Sequence, residues 1–122
     1  EPMDVDARIT TRDREILHHV KEYIDQHFLD TASLESLSRQ FGLNEFKLKV
    51  GFKALFDTSP MRYFQHKRLT FAMSLLQETD KSIKEISDEI GYSHAANFTT
   101  AFAKTFGKPP QHYRQSKEMG IA

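Results

Sequence analysis

Ser82-Ile83-Lys84-Glu85-Ile86-Ser87-Asp88-Glu89-Ile90-Gly91 decides the fold, because Ser33-Leu34-Glu35-Ser36-Leu37-Ser38-Arg39-Gln40-Phe41-Gly42 stands 49 residues before it with apolar residues at the same places. Each stretch opens on a serine, spaces its apolar residues three and then four apart, and closes on glycine. That spacing brings the apolar side chains onto one face of a helix. Ser82 followed by Glu85 has the form of a capping box, in which each side chain satisfies a backbone donor at the helix start. Glycine, free to adopt positive φ, ends the helix and opens a tight turn. Beyond the glycine the offset becomes 50, matching Leu48, Phe52, Phe56, Pro60 and Tyr63 with Phe98, Phe102, Phe106, Pro110 and Tyr113. One residue is therefore inserted after the second turn, and Asn44 and Ser93 are the expected N-caps of the helices that follow. Two copies are too few for a solenoid, so this is a duplicated supersecondary unit. Helix, glycine turn, helix describes a helix-turn-helix; an ordinary helical hairpin is the alternative for a single copy, and the matched duplication favours the former.

The flanking sequence supplies supports. Ile16, Leu17, Val20, Ile24 and Phe28 predict a first helix from about Thr11 to His27. Ser59-Pro60 is a cap followed by proline at a first helical position, and Phe64, Leu69, Ala72, Met73, Leu75 and Leu76 carry the pattern to about Gln77. A helix of about 18 residues is a rod of roughly 27 Å, long enough to hold two motifs at adjacent major grooves. The expected fold is all-α, about seven helices, with two helix-turn-helix subdomains joined by a long central helix. Residues 9–116 are expected to form one domain, the candidate DNA-binding domain, with the first motif at about 33–56, the linking helix at about 60–77 and the second motif at about 82–106. Residues 1–8 are expected to be linker or cloning remainder, and 117–122 a tail.

The 122 residues suffice for a core without staples, and with no cysteine the disulfide, zinc-finger and thiol readings fall together. No apolar run approaches a membrane span and no secretory signal opens the chain, so a cytoplasmic protein with no membrane partner is expected. The net charge of zero conceals blocks. Residues 1–46 carry five basic against ten acidic side chains, 47–69 six against one, 70–90 two against five, and 91–122 four against one. Both basic blocks overlap the second helix of a motif.

A helical wheel separates the faces of those second helices. In the first, Leu48, Phe52, Leu55 and Phe56 point inward, leaving Phe46, Lys47, Val50 and Lys53 outward with Lys49 on the flank. In the second, Phe98, Ala101, Phe102 and Phe106 point inward, leaving Ala96, Asn97, Thr100, Ala103 and Lys104 outward, with Ser93 and His94 in the approach to the helix. Lysine suits phosphates or guanine edges, asparagine pairs with adenine, and Phe46 or Val50 can meet a thymine methyl. Any single lysine of this kind is more often a solvated side chain than a base reader, and most contacts in such complexes go to phosphate. Small residues such as Ala96 permit close approach to a duplex.

His18, His19, His27, His66, His94 and His112 form no ligand spacing, and no cysteine completes a zinc site. Neither a nucleophile elbow, a phosphate-cradling glycine loop nor a carboxylate pair is present. No metal, cofactor, catalytic site or enzymatic activity is expected.

Gly91-Tyr92-Ser93, Asn97-Phe98, Ala101-Phe102, Lys104 and Phe106-Gly107-Lys108-Pro109-Pro110-Gln111-His112-Tyr113-Arg114 resemble the second-motif pattern of the AraC/XylS transcription regulators. The resemblance runs from about Ile16 to Gln115 and includes Arg68-Leu69, Ala72 and Leu75-Leu76. It implies that Phe46, Lys49 and Val50 face bases in the first recognition helix, and Ala95, Ala96, Asn97 and Thr100 in the second. Where relatives often place arginine, this chain has Val50-Gly51, which weakens a guanine contact and loosens the helix. Residues 42–49 are also similar to siderophore-responsive members. The resemblance further implies double-stranded promoter DNA and RNA polymerase as partners, with an N-terminal effector or dimerisation domain outside these 122 residues. Some DNA-repair methyltransferases carry a similar unit, but their chemistry needs an acceptor cysteine. The rival reading is a protein-interaction module, suggested by Phe46 and the acidic first helix.

Overall fold

The chain in the computed structural model is described over residues 9–114, so the expectations for residues 1–8 and 117–122 lie outside the described residues. Six helices follow in order: α1 (Thr11–His27), α2 (Leu34–Phe41), α3 (Glu45–Phe56), α4 (Pro60–Glu78), α5 (Ile83–Glu89) and α6 (Ala95–Phe106). A seventh, α7, occupies 110–114, and no strand occurs among the described residues. The chain divides into two units, Glu1–Gln65 and His66–Ala122, with the boundary inside α4.

In the first unit, α1 begins at a reciprocal cap. Asp13 N donates to Thr10 Oγ1 and Thr10 N donates to Asp13 Oδ2, each at 3.0 Å. Leu17, Val20 and Ile24 recur three and four apart on one α1 face and pack with Leu37 of α2, Leu48 and Phe52 of α3, and Ile9, Leu43 and Phe64. Fully burying a side chain as large as Phe52 contributes about 1.5–3 kcal/mol, so this shared face holds the three helices together. The contact with α3 is unusually close at Gly51. A Cβ added there would stand 2.6 Å from Leu17 Cδ1 and 3.2 Å from Ile9 Cδ1. The glycine expected only to loosen α3 thus lets α1 pack directly on its backbone. Tyr63, in the first turn of α4, donates its hydroxyl to Asp25 of α1, while Lys21 Nζ lies 3.6 Å from Asp25 Oδ2.

The second unit has its own core of Leu69, Ala72, Leu75 and Leu76 from α4, Ile86 from α5, Ile90, and Phe98 and Phe102 from α6. α7 closes it: the Tyr113 hydroxyl donates to Phe106 O at 2.6 Å and Arg114 Nη2 to Thr79 O at 3.1 Å.

Both turns use left-handed glycine, Gly42 at φ 69° and Gly91 at φ 90°. The chain then diverges. Asn44, two residues after Gly42, caps α3 by accepting from Lys47 N at 2.8 Å. The N-cap of α6 is His94, three residues after Gly91, and its side chain makes no capping bond. The expected cap at Ser93 is therefore corrected by one position. The inserted residue lies between Gly91 and His94, so the 50-residue offset already applies at the cap and pairs Asn44 with His94.

Candidate nucleic-acid interface

Each unit buries one face of its second helix and leaves the other open. Leu48 and Phe52 of α3, and Phe98 and Phe102 of α6, are fully buried. On the open side of α3, Phe46 is 52% exposed, Lys49 and Lys53 are exposed, and Val50 is half-buried. Positions 46, 49, 50 and 53 recur three and four apart, so they form one stripe along the helix. On α6, Ala96, Asn97, Thr100 and Lys104 are exposed, while Ala95 and Ala103 are half-buried. Ser93 and His94 are exposed at the approach to α6.

The two stripes differ in chemistry. Besides Phe46 and Val50, that of α3 is cationic. Among the described residues neither Lys49 nor Lys53 makes an ion pair. That of α6 is small and uncharged up to Lys104, with the exposed Lys108 following its C-terminal Gly107. α6 has no acidic residue in its first turn, so the partial positive charge of its N-terminus is not offset there. Asn97 stands near that end, where its amide can offer one donor and one acceptor to a base edge.

Lys47 behaves differently from the lysines beside it. Its Nζ lies 2.9 Å from Asp13 Oδ2, and its side chain is 32% exposed against 9% for Asp13. The Thr10 backbone N–H, then the Lys47 ammonium, hold the Asp13 carboxyl below its ordinary range despite the opposing effect of burial. The wheel placed Lys47 outward with the others; the structure turns it toward the start of α1. Asp13 was not read as part of the site. Its capping partner three residues away is a local signal, but Lys47 is distant in sequence.

The second unit carries an unpartnered group. Ser38 Oγ donates to Leu43 O at 2.6 Å across the first turn. Ser87, its counterpart, is fully buried, and among the described residues its hydroxyl has no hydrogen-bond partner. The backbone bond across each turn is the same, Leu43 N to Ser38 O at 3.2 Å and Tyr92 N to Ser87 O at 3.0 Å, yet among the described residues no carbonyl takes the place of Leu43 O.

A family model described as a helix-turn-helix domain matches residues 37–116. The chain is 31% identical over 96 residues to the HTH-type transcriptional regulator ExsA of Pseudomonas aeruginosa, covering 79% of this chain and 34% of that protein. It is 34% identical over 83 residues to the HTH-type transcriptional regulator AlkR of Acinetobacter baylyi, covering 68% and 27%. Among solved structures, the C-terminal domain of AraT, a response regulator from Geobacillus stearothermophilus, superposes with a TM-score of 0.78 at 28% identity, covering 89% of this chain and 88% of that one. The chain spans about a quarter to two-fifths of the length of the curated relatives it matches. With a family model reaching from within α2 through the second motif, two separately cored units and an open second helix in each, the chain belongs to the helix-turn-helix family of AraC/XylS transcription regulators, as their DNA-binding domain.

Proposed function

We propose that the chain binds specific sequences in promoter DNA, setting α3 and α6 into successive major grooves. The observation that carries this is the open stripe each unit leaves on its second helix. The α3 contacts are Phe46, Lys49, Val50 and Lys53. Those at α6 are Ser93, His94, Ala95, Ala96, Asn97, Thr100 and Lys104. Lysines from both motifs supply phosphate contacts, and Asn97 supplies direct readout by pairing with an adenine edge. Residues 9–116 act as one DNA-binding domain in the cytoplasm, and the whole protein couples that domain to an effector or dimerisation domain and to RNA polymerase. The relatives' names as transcriptional regulators support this reading.

Selection from pooled random duplexes, followed by salt titration of the selected site, tests it. About six phosphate contacts give a slope near −5 in log affinity against log salt. Asn97→Ala should alter preference by about 1–3 kcal/mol at one base pair while Lys49→Ala weakens all sequences alike. Absence of an enriched sequence together with a flat titration contradicts the proposal and favours a protein-interaction module.

A further inference from the structure

The Asp13–Lys47 pair joins two elements with different roles in the DNA-binding reading. Asp13 sits in the first turn of α1 and Lys47 in the first turn of α3. The pair is 2.9 Å apart, and its carboxylate is 9% exposed against 32% or more for Asp25, Asp30, Glu35, Glu89 and Asp88 in their ion pairs. Asp13 is also held by the α1 cap, since Thr10 N donates to the same Oδ2 and Thr10 Oγ1 accepts from the Asp13 N–H. Ile9, just before the cap, is buried against Gly51 of α3. The carboxylate therefore cannot swing away without undoing the α1 cap. Were Lys47 to leave for a phosphate, Asp13 would remain as a nearly buried anion without its cation, which is strongly unfavourable.

We infer that Asp13 is a positioning residue of the interface: it holds Lys47 out of the phosphate contacts, so that the first motif meets the duplex backbone through Lys49 and Lys53 alone. This rests on the DNA-binding reading above and assigns the division of labour within it. A lysine already neutralised by a fixed carboxylate displaces no counterion from DNA. It adds nothing to the sequence-independent attraction that competes with base reading. Asp13 thereby lowers the sequence-independent affinity and the salt dependence that the first motif contributes.

Salt titrations of the selected duplex and of a scrambled duplex, with wild type, Lys49→Gln, Asp13→Asn and the double variant Asp13→Asn/Lys47→Gln, test the assignment. Lys49→Gln should make the slope shallower by about 0.9. Asp13→Asn frees the ammonium and should steepen the slope by about 0.9 on both duplexes alike. The double variant removes both charges of the pair and should titrate like wild type. A purely structural role for Asp13 would shift melting temperature without steepening the slope. The assignment is overturned if folded Asp13→Asn titrates like wild type, or if the double variant is as shallow as Lys49→Gln. Should Asp13→Asn fail to fold, Asp13→Ser replaces it, since Ser36 already serves as the capping acceptor at the start of α2. A wild type with a flat titration on both duplexes rejects the DNA-binding reading itself and this assignment with it; a steep wild type that Asp13→Asn leaves unchanged rejects only the latter.

Discussion

Ser38 and Ser87 occupy the same position in the two motifs but not the same chemistry. The first hydroxyl donates to Leu43 O, and removing it leaves that carbonyl without its side-chain donor. The second is buried with no acceptor among the described residues, so its hydroxyl has lost water without a hydrogen bond in return. Urea denaturation should show Ser38→Ala losing about 1 kcal/mol and Ser87→Ala unchanged or more stable; equal losses at both sites would contradict the asymmetry. Asp13 makes a pH prediction at the same scale. Its folded carboxyl titrates below the ordinary value of 3.8, so the stability it contributes is complete above that value and lost as pH falls through the lower folded value. Acid unfolding followed from about pH 5 to about pH 2 should be flatter in Asp13→Asn than in wild type. Identical profiles would show that Thr10 and Lys47 do not hold the carboxylate. The Thr10-Asp13 cap is local in sequence, whereas the Lys47 pairing arises only when α1 lies across α3. This is why the wheel placed Lys47 with its neighbours.

At the scale of elements, α1 runs from Thr11 to His27 as its apolar spacing predicts, and Pro60 opens α4. Leu48 and Phe52 face inward while Phe46, Lys49 and Lys53 face outward, because helical periodicity alone sorts core from surface. Two features escaped that logic. The N-cap of α6 required deciding on which side of Ser93 the insertion falls, and serine is the better capping residue by type. Gly51 looked like a weakness because helix propensity counts only the helix it belongs to. The partner across the interface reverses the sign. Alanine gains about 1 kcal/mol over glycine in helix propensity, yet its Cβ would meet fully buried Leu17 at 2.6 Å, and overpacking a core costs about 1–3 kcal/mol. Gly51→Ala should therefore lower the denaturation midpoint by an amount equivalent to about 1 kcal/mol, and a raised midpoint would mean that α1 and α3 separate easily.

For the whole molecule, zero net charge is reconciled with a polyanionic partner by the way charge is distributed along the chain. The basic block over residues 47–69 contains Lys49 and Lys53, and that over 91–122 contains Lys104 and Lys108, while the acidic blocks contain α1 and α5. The duplication was legible because apolar spacing and turn glycines repeat at a fixed offset, and it carries most of the fold. The proposed division of labour between lysines that hold phosphates and an Asn97 that reads a base was legible only in part, since it depends on which lysines other side chains already occupy. The most direct test of the central claim is a hydroxyl-radical footprint on the selected duplex. Two motifs in successive major grooves predict two protected patches about 10 base pairs apart on one face of the DNA; a single patch, or protection spread evenly around the helix, would contradict the account.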